Sequence, residues 1–185
     1  MRGERQVRRM TTVLFASPRE NGVTDAVTRV FLDGRDAVFF DLYALSPAPC
    51  TACNFCEGEA RCAKRDLDGV FDAIRRSDRL VIASPVYNYS FPAPMKAFFD
   101  RLQVFYHHPA APDPGRRCAL LLCAGRTGVY ASDLMRRQTR VAAEELGFCL
   151  TDVFLKPGTD AESGLTPSEE AALRELSAGF FTPAT

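Results

Sequence analysis

The chain has 185 residues, of which 46% are hydrophobic and 25% charged, and its 23 basic residues balance its 23 acidic ones. At about 100–200 residues per domain, this length predicts one compact domain. The zero net charge argues against a general nucleic-acid binder, which needs an excess of positive charge. No apolar run approaches the ~20 residues of a membrane span. The N-terminus lacks the apolar core of a signal peptide, so we expect a cytoplasmic protein that binds neither nucleic acid nor membrane.

Residues 1–9 differ in charge from the rest of the chain. They include four arginines and one glutamate, and the first apolar run begins at Met10. Untethered termini are commonly disordered. We therefore predict a disordered basic extension over residues 1–9 and one domain over residues 10–185.

From Met10 onward, short apolar runs alternate with segments that have helical spacing. The runs predict strands at Thr11–Ala16, Ala37–Leu42, Arg79–Ala83, Arg117–Ala124 and Phe148–Leu155. The segments between and after them predict helices at Thr24–Leu32, Leu67–Arg76, Pro94–Phe105, Asp133–Leu146 and Pro167–Ala178. This alternation is typical of a parallel α/β sheet with right-handed crossovers. Because ligands bind beyond the carboxyl ends of such strands, the loops that follow the strands are the candidate sites.

The first of these loops, Ser17–Asp25, carries small polar residues at the predicted start of a helix. Hydroxyl groups, free backbone N–H groups and the helix dipole together favour an anion, and Arg19 adds a charge that can grip a phosphate. The loop has neither the P-loop pattern nor the dinucleotide-binding glycine pattern. An ordinary turn with Asn21 or Thr24 as the helix cap explains the same residues, so the loop alone leaves both interpretations open.

Four of the seven cysteines lie within thirteen residues, after the second predicted strand: Cys50, Cys53, Cys56 and Cys62. In a cytosolic chain this density indicates metal binding or redox chemistry rather than disulfides. Zinc sites usually use two CxxC pairs with a longer stretch between them, whereas closely spaced cysteines suit an iron–sulfur cluster. The spacing leaves three alternatives open: a 4Fe–4S cluster, free thiols or zinc.

The loop after the third strand, Ser84–Lys96, alternates aromatic residues with amide and hydroxyl groups. Such a loop can offer apolar planes and hydrogen-bond partners to a flat heteroaromatic ligand. The alternative is a buried aromatic plug beneath the next helix. His107 and His108 follow that helix, and we interpret them either as solvated loop residues or as the rim of a substrate mouth.

Together the two polar loops resemble those of the flavodoxin-like NAD(P)H-dependent FMN reductases. The resemblance covers about residues 10–155 and rests on Ser17-x-Arg19-x-Asn21-Gly22-x-Thr24 and on Pro85-Val86-Tyr87-Asn88-x-Ser90-x-Pro92, followed by Met95-Lys96-x-x-x-Asp100-Arg101. It implies a flavodoxin-like three-layer sandwich, in which a five-stranded parallel sheet of order 2-1-3-4-5 has helices on both faces.

The resemblance also assigns residues to FMN. The phosphate is expected on Ser17, Arg19, Asn21, Val23 and Thr24, and the isoalloxazine ring against Pro85, Val86, Tyr87, Asn88 and Ser90. The loop Ala124–Gly128, chiefly Ala124 and Gly125, is expected to close over the other edge of the ring. Val23 stands where many relatives have asparagine, which removes one polar contact.

The activity implied is electron transfer from NAD(P)H through FMN to a small acceptor: a quinone, a flavin, an azo or nitro compound, or a metal ion. No side chain is then required as an acid or base, so we predict no catalytic residue. Related reductases form homodimers or homotetramers. We predict such an assembly here, with Phe91, Phe105 and Tyr106 in the contact.

The cysteine spacing resembles that of the iron-sulfur flavoproteins, which implies an alternative function. In that alternative the protein is an electron carrier that holds FMN and a 4Fe–4S cluster. The four clustered cysteines would bind the cluster, and a ferredoxin-like protein would supply the electrons.

Overall fold

The computed structural model describes residues 10–111, 113–125, 129–161 and 164–182. Within them, the strands form one parallel sheet: β1 (Thr11–Phe15), β2 (Val38–Asp41), β3 (Arg79–Pro85), β4 (Arg117–Cys123) and β5 (Cys149–Lys156). Their order is β2-β1-β3-β4-β5, which confirms the predicted topology. The extension predicted over residues 1–9 lies outside the described residues.

The helices of the described residues include all of the predicted ones and two short additions. They are α1 (Val23–Leu32), α2 (Leu42–Leu45), α3 (Phe55–Gly58), α4 (Asp68–Arg76), α5 (Ala93–Asp100), α6 (Gln103–His107), α7 (Val129–Glu145) and α8 (Pro167–Phe181). The additions, α2 and α3, span four residues each and lie in the segment between β2 and α4. Asp41 caps α2, because its carboxylate accepts from the N–H groups of Tyr43 and Ala44.

The single helix predicted at Pro94–Phe105 is two helices, α5 and α6. The N–H of Arg101 is shared between the carbonyls of Ala97 and Phe98, at 3.2 and 3.0 Å, and the N–H of Leu102 donates to Phe99 at 3.1 Å. Such bonds to the third preceding residue tighten the chain into a turn and end the regular α-helix. The apolar spacing continues through the break, so the sequence pattern does not reveal it.

The core lies on both faces of the sheet, because neighbouring residues of a buried strand point to opposite sides. Leu14, Leu80 and Leu120 pack on one face with the residues of α4, α5, α6 and α7. Val13 and Val81 pack on the other face with α1 and α8. These three layers confirm the predicted sandwich. Among the described residues, no helix combines the length and the apolar character that crossing a membrane requires.

Two of the three aromatic residues predicted at a subunit contact are buried within the chain itself, so that prediction is wrong for them. Phe91 is 5% exposed and meets the ring of Phe99 at 5.0 Å, and Phe105 is 4% exposed and meets Phe71 at 5.2 Å. Only Tyr106, at 64% exposure, is free to contact another subunit. The homodimer or homotetramer itself stays a prediction.

The register of the sheet brings the ends of three strands to one edge. Phe15 at the end of β1 pairs with Ala83, and Pro85 at the end of β3 pairs with Cys123 at the end of β4. The chain leaves this edge in a fixed direction, because the N–H of Val86 donates to the carbonyl of Cys123 at 2.8 Å. The loops after β1, β3 and β4 therefore start side by side.

Candidate functional site

The loops after β1, β3, β4 and β5 enclose a cavity of about 420 Å³, called here the strand-end cavity. This volume is within the range of small-molecule and cofactor sites. Ten of the twelve residues predicted to bind FMN line it: Ser17, Arg19, Val23, Thr24, Pro85, Val86, Tyr87, Asn88, Ala124 and Gly125. The structure therefore joins three loops that are far apart in sequence into one site. Residues 126–128 of the predicted loop Ala124–Gly128 lie outside the described residues.

The other two predicted residues, Asn21 and Ser90, do not line the cavity but shape its loops. Asn21 has a left-handed backbone, with φ of 53°, and its side-chain oxygen accepts from Arg29 at 3.3 Å. Ser90 exchanges two backbone hydrogen bonds of 3.0 Å with Tyr87. Their predicted contacts with FMN stay predictions.

One end of the cavity is suited to an anion. The first residue before α1 is Gly22, which has no side chain to cap the free N–H groups of the first helical turn. The Arg19 side chain lies in the same wall, is exposed, and makes no hydrogen bond or ion pair to any described residue. A guanidinium and uncapped helix N–H groups together form a site for a phosphate.

The loop after β3 presents aromatic side chains at the cavity. Its turn between Tyr87 and Ser90 has two residues in the left-handed region, Asn88 at φ 47° and Tyr89 at φ 63°. Left-handed backbone is unusual for tyrosine and is held here by the two hydrogen bonds that close the turn. Tyr87 is 40% exposed and Tyr89 is 68% exposed, so both rings remain accessible to a ligand.

The loop after β4 packs against a residue that the sequence analysis did not identify. A Cβ atom added at Gly125 would collide with the carboxylate of Asp160, which follows β5 and also lines the cavity. A larger residue at position 125 would require the Asp160 side chain to move. The backbone holds the two segments together, because the N–H of Thr159 donates to the carbonyl of Ala124 at 3.0 Å.

Gly22, Tyr89, Cys123, Thr159 and Asp160 also line the cavity, although none was predicted to bind FMN. Gly22 and Tyr89 lie within the two loops already identified. Thr159 and Asp160 follow β5, so the rule that parallel strands bind ligands at their carboxyl ends could have found them. Cys123 lies in an apolar run, where a thiol is indistinguishable from a core residue.

The Cys123 thiol is a neutral part of the cavity wall. Burial raises its pKa to about 11, although a hydrogen bond with Thr24 and the charge of Lys156 act in the opposite direction. The thiol is therefore protonated near neutral pH and is a poor nucleophile there.

The four clustered cysteines line a second cavity, of about 310 Å³, called here the cysteine cavity. Cys50 and Cys53 are exposed, whereas Cys56 and Cys62 are half-buried. Burial raises the pKa of the Cys56 thiol, and its electrostatic interactions with Cys62, Cys50 and Cys53 act in the same direction. Over the described residues, which include all four cysteines, no three His, Cys, Asp or Glu side chains are grouped to hold a metal ion.

The two histidines lie beside the cysteine cavity rather than the strand-end cavity. His107 is the last residue of α6 and lines the cysteine cavity. The Nε2 atom of His108 is 3.0 Å from the carbonyl oxygen of Cys56, which links α6 to the cysteine segment. The side chain of Arg101 also lines this cavity and is 1% exposed.

The sheet order and the loops that converge at one edge define a flavodoxin-like α/β protein. Residues 10–146 match the NADPH-dependent FMN reductase family, and the chain belongs to that family. The NAD(P)H:quinone oxidoreductase from Methanothermobacter marburgensis has the same fold, with a TM-score of 0.65 and 19% sequence identity, over 95% of this chain and 98% of that one.

Two curated relatives represent the two branches that the sequence resembles. The iron-sulfur flavoprotein of Methanosarcina thermophila is 40% identical over 55 residues, which are 29% of each chain. The FMN-dependent NADH:quinone oxidoreductase 3 of Pseudomonas aeruginosa is 28% identical over 103 residues, which are 50% of this chain and 47% of that protein. The chain thus matches less than half the length of either relative.

Replacing Arg19 tests the anion end of the strand-end cavity. Arg19→Ala should weaken FMN binding by about 1.5–3 kcal/mol, the usual contribution of a hydrogen bond to a charged group. Riboflavin lacks the phosphate and should bind the wild type and the variant alike. Quenching of flavin fluorescence measures both affinities. Arg174→Ala is the control, because Arg174 is already paired with Glu170 at 2.8 Å and lies outside this cavity. Equal FMN affinity in wild type and Arg19→Ala would contradict the assignment.

Replacing Gly125 tests the close approach of the loops after β4 and β5. The added methyl group of Gly125→Ala pushes aside the exposed Asp160 carboxylate, and moving a side chain away from its preferred rotamer costs about 0.5–1.5 kcal/mol, here of FMN affinity. Adding Asp160→Ala should restore binding to within about threefold of the Asp160→Ala single variant. Gly164→Ala is the control, because an added Cβ there meets no atom of the described residues within 4 Å. A double variant that binds FMN as weakly as Gly125→Ala contradicts the collision.

Proposed function

We propose that the protein binds FMN in the strand-end cavity and transfers electrons from NAD(P)H to a small acceptor. The observation that carries this proposal is the convergence of ten predicted residues, from three separate loops, on one cavity. The family match over residues 10–146 supports it. The quinone oxidoreductase from Pseudomonas aeruginosa makes a quinone our first choice of acceptor.

The residues present fit the two ends of FMN. Arg19 and the uncapped start of α1 suit a phosphate, and the loop after β3 suits a flat ring with polar edges. Bound FMN supplies the hydride and electron chemistry of the reaction. The chain then has three tasks: it holds the phosphate, it orients the ring through a turn with a fixed backbone, and it leaves the mouth near Tyr87 and Tyr89 open to the nicotinamide and the acceptor.

This arrangement needs no acid or base from the protein. Apart from Arg19 and Asp160, the charged side chains of the described residues lie outside the cavity lining, and the Cys123 thiol is neutral near pH 7. We therefore assign the lining residues to binding and orientation rather than to proton transfer.

Anaerobic reduction distinguishes the reductase from the carrier. In a stopped-flow instrument, NADPH or NADH should bleach the blue absorbance of the FMN-loaded protein rapidly, and an added quinone should restore it. Reduced ferredoxin added without nucleotide is the comparison. If both nucleotides reduce the bound FMN slowly and ferredoxin reduces it fast, the reductase proposal is wrong and the electron carrier is favoured.

We also propose, as a second candidate, that the cysteine cavity holds a 4Fe–4S cluster. The observation that favours it is that all four cysteines line one cavity. Four cysteines lining one cavity match the number of thiolates that hold a 4Fe–4S cluster. The iron-sulfur flavoprotein of Methanosarcina thermophila supports this proposal by its resemblance.

Anaerobic reconstitution with iron and sulfide tests the second candidate. We expect about four iron and four sulfide per chain, with loss of most of both in Cys53→Ser, because each thiolate holds one iron of the cluster. Cys149→Ser is the control, since Cys149 is a half-buried cysteine outside the cavity. Substoichiometric iron that Cys53→Ser leaves unchanged would show that the cysteines are structural.

A further inference from the structure

Arg101 is a buried guanidinium that lies against the segment carrying the four cysteines. Its side chain is 1% exposed, although arginine is rarely buried without partners. The Nε atom donates to the sulfur of Cys62 at 3.1 Å. The two terminal nitrogens donate to the carbonyls of Ala48 and Lys64, at 2.9 and 2.6 Å, and to the carboxylate of Asp66, at 2.8 and 3.3 Å. All of its partners belong to residues 48–66.

These partners lie on both sides of the four cysteines in the sequence, within residues 48–66, which are called here the cysteine segment. Ala48 precedes Cys50, and Lys64 and Asp66 follow Cys62. The start and the end of the segment also contact each other. The N–H of Ala48 donates to Asp66 at 2.9 Å, and the Lys64 ammonium donates to the carbonyl of Pro49. Arg101 thus closes the base of the segment from the α5–α6 turn, and it fixes Cys62 at the cavity wall.

Arg101 also brings a charge to the sulfurs. Within the described residues, Cys62 is the one cysteine of the cavity whose sulfur receives a hydrogen bond from a cation. Asp66 offsets part of that charge, since its carboxylate pairs with the guanidinium at 2.8 Å. A hydrogen bond to sulfur and a nearby positive charge both raise the reduction potential of an iron–sulfur centre.

We propose that Arg101 is a positioning residue of the cysteine cavity, which holds Cys62 in the wall and stabilises added negative charge on a metal–sulfur centre bound there. This inference rests on the proposal that the cavity binds a 4Fe–4S cluster. A ferredoxin-like donor would pass one electron to a bound cluster, which would make the cluster one unit more negative without forming or breaking a bond. The guanidinium favours the reduced form by Coulomb attraction, and the Asp66 carboxylate opposes it.

The two charges predict shifts of opposite sign. In Arg101→Gln the reduction equilibrium constant of the cluster should fall at least about tenfold, which is 59 mV for one electron. In Asp66→Asn it should rise, because the opposing carboxylate is gone. Both substitutions remove bonds from the base of the segment, so a purely structural role would move both variants in the same direction or leave the potential unchanged.

The experiment uses the full chain, reconstituted anaerobically with iron and sulfide and titrated under electron paramagnetic resonance detection. Arg101→Lys is the second variant: it keeps the charge but reaches fewer acceptors, so we expect lower iron content and a nearly unchanged potential in the loaded fraction. Arg79→Lys is the control, because Arg79 is also 1% exposed but donates to the backbone carbonyls of Phe180 and Gly115 and not to a cysteine.

Each outcome is decisive. Opposite shifts in Arg101→Gln and Asp66→Asn, with Arg79→Lys unchanged, support the inference. The inference is wrong if the wild-type protein binds the cluster but both variants keep the wild-type potential, or if both shift it in the same direction. Wild-type protein that binds no iron overturns the cluster proposal and this inference together, and the reduction of FMN by NAD(P)H is measured separately from both.

Discussion

Parallel pairing of buried strands is the constraint on which the strand-end cavity depends. β1 and β3 are buried at every residue and β4 at all but the first, so their backbones cannot shift without exposing apolar side chains or breaking the ladder. The register then fixes where each strand ends. The loop after β1 supplies the anion end, and the loop after β3 supplies the aromatic residues. Neither loop alone would form the proposed FMN site, because each lines only part of the cavity.

Most of the fold was predictable from the alternation of apolar runs and helical spacing. The exceptions have local physical causes. The split between α5 and α6 arises from two tightened hydrogen bonds at Arg101 and Leu102, which leave the apolar spacing intact. Phe91 and Phe105 were wrong as subunit contacts because a phenylalanine near a site edge looks the same in sequence whether it packs inward or outward. Their inward packing against Phe99 and Phe71 depends on the tertiary structure and is not encoded in the local sequence pattern.

The candidate site also contains residues that could be predicted from sequence and residues that could not. Some residues, such as Arg19 and Tyr87, could be identified from sequence, because a charged or aromatic residue in a loop after a strand suggests ligand binding. Asp160 could not be paired with Gly125, because 35 positions separate them and only the packing of the loops after β4 and β5 brings them together. The four cysteines were identified as a candidate metal site by their spacing, but the spacing does not indicate which residues pack against them. The guanidinium of Arg101 comes from the α5–α6 turn, 39 residues beyond Cys62.

The two arginines show how the same group serves different purposes in the two cavities. Arg19 is exposed and its side chain has no partner among the described residues, so its donors are available to the phosphate that we propose. Arg101 is saturated by its own chain and ordered before any ligand arrives, so it has no donor left to capture one. Its charge nevertheless acts at a distance on whatever the sulfurs bind, because a buried charge is screened less than an exposed one. On our proposals, Arg19 contributes affinity for FMN, and Arg101 sets the position of Cys62 and the potential of a bound cluster.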